Sequence, residues 1–286
     1  EIALSEQSEP KFIHLRVHSD YSMCDGLNKI PKIIGRVAEL GMPAVAITDQ
    51  MNMCGLVKYY YQAHGNGVKP IIGCDFWLQN PLLGEDIFRT TLLASNNAGY
   101  KNITLLISRA YQRGAVKDKA VIDAHWLAEH AEGIIVLSGA KDGELGFALQ
   151  KQNHKQINQL LDFYLQHFPE HFFIELQRTG RPGEEDYLHA AVALAEQREL
   201  PVVATNEVVF LKETEFPADD IRVSIHDGYT LEDPRRPKRF SEQQYLRSAE
   251  EMQALFSDIP EAIENTVEIA KRCNVDVLLD EYFLPD

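Results

Sequence analysis

The chain has 286 residues, with 28 Lys and Arg against 43 Asp and Glu and a formal net charge of −15. Its 45% hydrophobic and 25% charged content is that of an ordinary folded protein, which excludes disorder throughout and a fibrous architecture. The negative charge argues against a surface that grips nucleic acid unaided, because phosphates call for clustered Lys and Arg, while leaving room for a small basic patch or a place in a larger nucleic-acid machine.

Residues 1–10 are polar and aperiodic and read as a loose arm, part of which an expression remnant could supply. Residues 11–286 are expected to form one domain with a single rhythm: a short β-branched run, a polar residue at its end, then a helical pattern. Strands are predicted over 12–18, 44–48, 70–76, 90–94, 133–137, 172–176 and 201–204. Helices are predicted over 31–40, stopped by Gly41, over 56–64, stopped by Gly65, and over 100–111, 153–167, 184–198 and 250–256. A last helix, 260–273, opens with Pro260 at a first-turn position. Alternating strands and helices make βα units and a mainly parallel sheet, and about seven strands in this length fit a barrel better than two small sheets.

No apolar run approaches the roughly 20 residues that cross a bilayer, and no basic-then-apolar leader opens the chain, so a soluble protein is expected. Cys24, Cys54, Cys74 and Cys273 are widely spaced with no C-x-x-C pair, which removes support for zinc ribbons and thioredoxin chemistry. They read as reduced, core-filling side chains of a cytoplasmic protein. Of three further features, the segment from His64 to Gly67 reads as a glycine helix stop, and the run Tyr59, Tyr60, Tyr61 turns through so much of a helix that one ring should be exposed. The stretch 233–239 is the one strongly basic loop, solvated or touching phosphates or another part of a larger polypeptide.

Ionisable and polar side chains collect where the apolar strand runs end: His18, Asp49, Asp75, Glu175, Thr179 and Glu207. In parallel α/β folds those ends and the loops after them form the site crevice, so these residues should converge on one mouth. Taken singly, such carboxylates also cap helices or neutralise Lys and Arg. Strand alternation would put His14, Arg16 and His18 on one face, an arrangement hard to explain as core.

The opening segment around His14, Arg16, His18, Asp20, Asp25 and Gly26 carries a resemblance, together with Ile47-Thr-Asp49-Gln50, Ile71-Ile-Gly-Cys-Asp75 and Ala204-Thr-Asn-Glu207. These stretches resemble the PHP (polymerase and histidinol phosphatase) family. The segments ending at Lys58, Asn102, Arg181 and Asn274 are similar to the branch of that family found in bacterial replicative polymerases. The resemblance implies an α/β fold of PHP type, a distorted (β/α)7 barrel with mainly parallel strands.

Active members of the family build a three-metal cluster at the barrel mouth, where clustered divalent ions activate water and clamp phosphoryl oxygens. Mapped onto this chain, the first His of the family's HxH motif is Arg16, and the second is retained as His18. The next ligand is Asp25; the His after Thr48 and Asp49 is Gln50; the Glu after the third strand is Asp75. The His near the fourth strand corresponds to Arg89, the His before Gly180 to Thr179, and the closing Asp and His to Glu207 and Val209. Five imidazoles are thereby replaced, two of them by a guanidinium that cannot bind a metal.

His18, Asp25, Asp75 and Glu207 remain as metal ligands if any ion binds. No cofactor is expected, or at most one weakly held divalent ion. Carboxylates left close together would repel, so Arg16 and Arg89 are expected to form salt bridges with them. The same Arg16, Arg89 and His18 could instead hold phosphate or pyrophosphate.

The resemblance implies a non-catalytic module in DNA replication that supports the polymerase body and docks a proofreading 3′–5′ exonuclease subunit, meeting DNA only within the replicase. The palm-domain aspartates of the polymerase are expected after this region, so the chain should not extend DNA by itself and reads as an excised fragment. The alternatives are a residual pyrophosphatase in the degenerate cleft and, less well matched, a stand-alone enzyme like histidinol phosphatase.

Overall fold

A computed structural model describes residues 10–22, 25–216 and 240–277. The arm 1–10, apart from its last residue, Cys24 and the basic loop 233–239 lie outside the described residues.

Seven strands, β1 (Ala44–Ile47), β2 (Lys69–Gln79), β3 (Ile87–Ala94), β4 (Val121–Asp123), β5 (Ile134–Leu137), β6 (Phe172–Leu176) and β7 (Val202–Ala204), form one sheet in the order β1-β2-β3-β5-β6-β7, with β4 on the far end of β2. The pairs β1–β2, β2–β4, β5–β6 and β6–β7 are parallel, whereas β3 runs antiparallel to both β2 and β5. The predicted strand 12–18 is buried and bonded to the wall along its length, Ala46 N donating to His14 O (2.9 Å) and Val208 N to Arg16 O (3.0 Å), with bridge pairing confined to Val17. Val17 bridges Ile47 on one side and Val208, just past β7, on the other. His18 N donates to Val208 O (2.8 Å) and Thr48 N to Val17 O (2.9 Å). Six strands and this opening segment therefore close a distorted barrel.

The barrel interior is a small apolar cluster with a residue from nearly every stave: Leu15, Ala46, Ile71, Leu93, Leu137, Phe173 and Val203. A larger cluster lies between the wall and the helices: α1 (Ile30–Glu39), α2 (Leu56–Gly65), α3 (Asn97–Arg113), α4 (Ala124–Glu129), α5 (Glu144–Gln150), α6 (His154–His167), α7 (Glu184–Arg198), α8 (Ala249–Leu255) and α9 (Pro260–Arg272). In α1, Ile30, Ile33, Ile34 and Val37 bury one stripe at helical spacing. In α9, Ile269 and Ala270, followed by Cys273, join the interior cluster. The helices follow the predicted pattern closely, while β4, α4 and α5 are additions too short to stand out in the periodicity.

Among the described residues no helix is long and apolar enough to cross a membrane. Cys74 and Cys273 are buried as expected, but Cys54 is exposed on the turn before α2. Of the tyrosine run, Tyr59 is buried and donates to the carbonyl of Ile71 (3.0 Å), while Tyr61 is exposed.

One close approach sets how α3 sits on the wall. Asn96 caps α3 by accepting from Gly99 N (3.0 Å), and a Cβ on Gly99 would lie 1.9 Å from the carbonyl oxygen of Gly133. Backbone faces backbone there, so neither side can yield by a rotamer change. Gly99→Ala is expected to lower stability by about 1–3 kcal/mol, measured by urea unfolding. A change below about 0.5 kcal/mol would mean that α3 slides freely on the wall.

Candidate functional site: a buried ionic lattice at the barrel mouth

The mouth is built where Asp75 follows Ile71 and Gly73 on the inner face of β2, and Glu175 follows Phe173 on β6. Because β3 is antiparallel, its N-terminal half reaches this end. Thr91 lies opposite Asp75 and Arg89 opposite Trp77 in register. Glu207 follows β7 with a left-handed backbone (φ 46°), a conformation an L-residue adopts at some cost, and Gln244 Nε2 donates to its carbonyl (3.0 Å).

Arg16 is 2% exposed. Its Nε and Nη2 donate to Asp75 Oδ2 (3.2 and 2.9 Å), its Nη1 donates to Glu175 Oε2 (2.9 Å), and Nη2 lies 3.5 Å from Glu207 Oε1. Arg89 donates through Nη1 to Glu207 and through Nη2 to Gln50 Oε1 (3.1 Å), and lies 3.7 Å from Asp75. The expected salt bridges of both arginines are thus formed. His18 places Nδ1 2.7 Å from Asp25 Oδ1 and Nε2 2.5 Å from Asp75 Oδ2. Thr91 donates its hydroxyl to the other oxygen of Asp75.

A further cation, Arg181, was not among the predicted site residues. Its Nη2 donates to Glu207 Oε2 (3.1 Å) and to Gln177 Oε1 (2.7 Å). The only sequence signal was its place after Thr179 and Gly180. Four basic side chains, Arg16, His18, Arg89 and Arg181, thus face four carboxyl groups, Asp25, Asp75, Glu175 and Glu207.

The electrostatics follow from burial and pairing. Burial alone would push the Asp75 and Glu207 carboxyls up, but the guanidinium groups of Arg16 and Arg89 override it and hold both well below the usual range. Burial would likewise lower His18, yet the carboxylates of Asp25 and Asp75 raise it to about 10. The imidazole is then charged near neutral pH, with both nitrogens donating.

Several predicted residues sit elsewhere. His14 does not share the face of Arg16. Ile13 and Leu15 turn inward, and His14 packs edge-on against Phe12 and meets the carbonyl of Arg247 (2.7 Å). Burial lowers it to about 4 against the bond to the Arg247 carbonyl. Asp49 stays out of the lattice and ties down the 19–22 turn, accepting from Ser19 N (2.6 Å) and Oγ (2.7 Å); burial raises it to about 6 against those bonds. Thr179 donates to Glu184 Oε2 (2.7 Å) at the start of α7 and accepts from Arg181 Nε (2.9 Å), so it touches the lattice only through Arg181. Val209 is fully buried and serves the backbone, its N–H donating to Gln244 O (3.0 Å).

The chain belongs to the PHP family, whose PHP domain is matched over residues 14–179, a span from the opening segment through β6 to Thr179. It is 63% identical over 279 residues to the DNA polymerase III subunit alpha of Vibrio cholerae serotype O1, a match covering 98% of this chain and 24% of that protein. It is 59% identical over 278 residues to the DNA polymerase III subunit alpha of Escherichia coli K12, covering 97% of this chain and 24% of that protein. The chain thus spans about a quarter of the length of these relatives. Among solved structures, an amidohydrolase from Chromobacterium violaceum is similar with a TM-score of 0.44 and 17% identity, over 68% of this chain and 86% of that one.

Proposed function

We propose that this chain is the PHP module of a bacterial replicative polymerase alpha subunit in which fixed guanidinium groups stand where the family holds metal ions. In that reading it acts in DNA replication in the cytoplasm, as scaffold for the polymerase body and as docking platform for a proofreading 3′–5′ exonuclease subunit. Its close relatives supply the polymerase setting, and the family resemblance supplies the exonuclease.

One observation carries the metal-free reading: Asp75 and Glu207, at family ligand positions, are each engaged by both Arg16 and Arg89. The residues present do not fit the multinuclear metal centre that membership implies. The His18 ring donates from both nitrogens and offers no lone pair, and one oxygen of Asp75 already accepts from Arg16 and His18 and the other from Thr91. Among the described residues no three His, Cys, Asp or Glu are arranged to hold an ion. Pyrophosphate hydrolysis through Arg16, Arg89 and His18 is less well supported, because phosphoryl oxygens would have to displace carboxylates from guanidinium groups that are almost fully buried.

The purified chain is expected to carry less than one equivalent of manganese, zinc and iron by elemental analysis after dialysis. Its pyrophosphate hydrolysis, if any is measured, should be unchanged in Arg16→Ala and Asp75→Asn variants that remain folded. About two or more equivalents of a transition metal, or hydrolysis lost in both variants, would replace the scaffold with a hydrolase.

A further inference from the structure

The lattice at the mouth neutralises its arginines with carboxylates, but the outer side of α3 holds cations in a different way. Residues 87–117 contain no Asp or Glu, in a chain that has 43 of them, yet they include Arg89, Lys101, Arg109, Arg113 and Lys117. Lys101, Leu105, Arg109 and Arg113 follow at intervals of four along α3, a slowly turning stripe ~18 Å long at 1.5 Å per residue. Beyond the helix, Lys117 and Lys119 flank Asp118 in the turn before β4.

The seats of these charges are uncharged. Arg113 lies over the Trp126 ring, 5.4 Å from its centre, and donates to Gln79 Oε1 (3.2 Å). Lys117 donates to the carbonyl of Glu85 (3.1 Å), and Lys119 lies 5.2 Å from the centre of the Trp77 ring. None of these three forms an ion pair with a described residue. Arg109, also over Trp126, pairs with Glu129 (2.6 Å). Rings, an amide and a carbonyl therefore seat three positive charges that have no ion-pair partner among the described residues.

The geometry points to a nucleic-acid-binding face on α3 and the 114–119 turn, one that holds the phosphate backbone of a strand by Arg113, Lys117 and Lys119. A folded protein partner would need apolar area to anchor it, and Leu105 is the one large apolar side chain exposed along the stripe. With so little apolar surface, binding must come from charge, and the partner suited to that is a chain of regularly repeated negative groups. This inference does not depend on the state of the barrel mouth.

Fluorescence anisotropy of a labelled oligothymidylate titrated with the 286-residue chain tests it. Three contacts at about −0.7 each give a log–log salt slope of about −2, so affinity should fall roughly twentyfold between about 50 and 200 mM salt. The variant Arg113→Gln, Lys117→Gln, Lys119→Gln should lose binding while keeping the parent's thermal melt, each single change should flatten the slope by about 0.7, and Lys271→Gln on α9 should leave binding as it was. Absence of binding at the lower salt, or binding retained by the triple variant, overturns the inference. So does poly-L-glutamate competing as well as the oligonucleotide per charge, which would assign the face to an acidic polypeptide.

Discussion

Arg16→Met is expected to destabilise the chain by about 3–5 kcal/mol, read as a fall in the urea midpoint followed by the fluorescence of Trp77 and Trp126. The size follows from what stays behind. Asp75 keeps His18 and Thr91, but Glu175 is left with the Gln177 amide, the Thr205 hydroxyl and the Gly139 N–H, and with no cation. A fully buried carboxylate in that position loses its counter-charge without regaining water. Adding Glu175→Gln to Arg16→Met should recover most of the loss, because it removes the carboxylate left buried without a counter-charge. Should Arg16→Met prove too unstable to purify, Arg16→Lys keeps the charge, gives up the two-pronged contact with Asp75 and Glu175, and should fall between the two. A loss below about 1 kcal/mol for Arg16→Met would show that the lattice is solvated and does not hold the mouth together.

Most of the barrel could be read from the sequence because its signals are local. Each central stave is a β-branched run longer than the noise, and each long helix carries an apolar stripe closed by Gly, Pro or Asn. What escaped depended on partners remote in sequence. The opening segment alternates on paper, yet in the fold Leu15 turns into the barrel, Arg16 and His18 meet the carboxylates of the mouth, and His14 packs on Phe12 apart from them. Arg89 sits at the start of its strand and would be assigned to the opposite end of a parallel sheet; the reversal of β3 brings it to Glu207. Arg181 lies in a loop with no periodicity, and only the position of Glu207 makes it part of the site. Asp49 is a further case. It ends an apolar strand, as site residues do, but both of its oxygens accept from Ser19, 30 residues earlier in the chain.

On the alkaline side, stability should fall from neutral pH upward by on the order of 1 kcal/mol per pH unit, and His18→Gln should flatten that limb. The sign follows from the direction of the shift. His18 is raised to about 10 in the folded chain against about 6.5 unfolded, so its contribution is complete below pH ~6.5 and is lost as pH rises toward ~10. Asp75 and Glu207, held low, contribute above pH ~4 and lose that contribution only as the solution becomes strongly acidic, so they do not shape the alkaline limb. Asp49, raised to about 6, opposes folding as pH climbs through that value, and its effect is complete before the window of interest. The buried thiols of Cys74 and Cys273 are pushed upward and begin to matter above pH ~9, which confines the comparison to about pH 7–9. Urea unfolding of parent and His18→Gln across that window separates the two descriptions of the mouth. An imidazole that ligates a metal is already neutral at pH 7 and has no proton to lose, so it would give parallel curves for parent and variant. An imidazolium clamped between Asp25 and Asp75 gives a parent curve that converges on the variant as pH rises, and curves that stay parallel would remove His18 from the lattice.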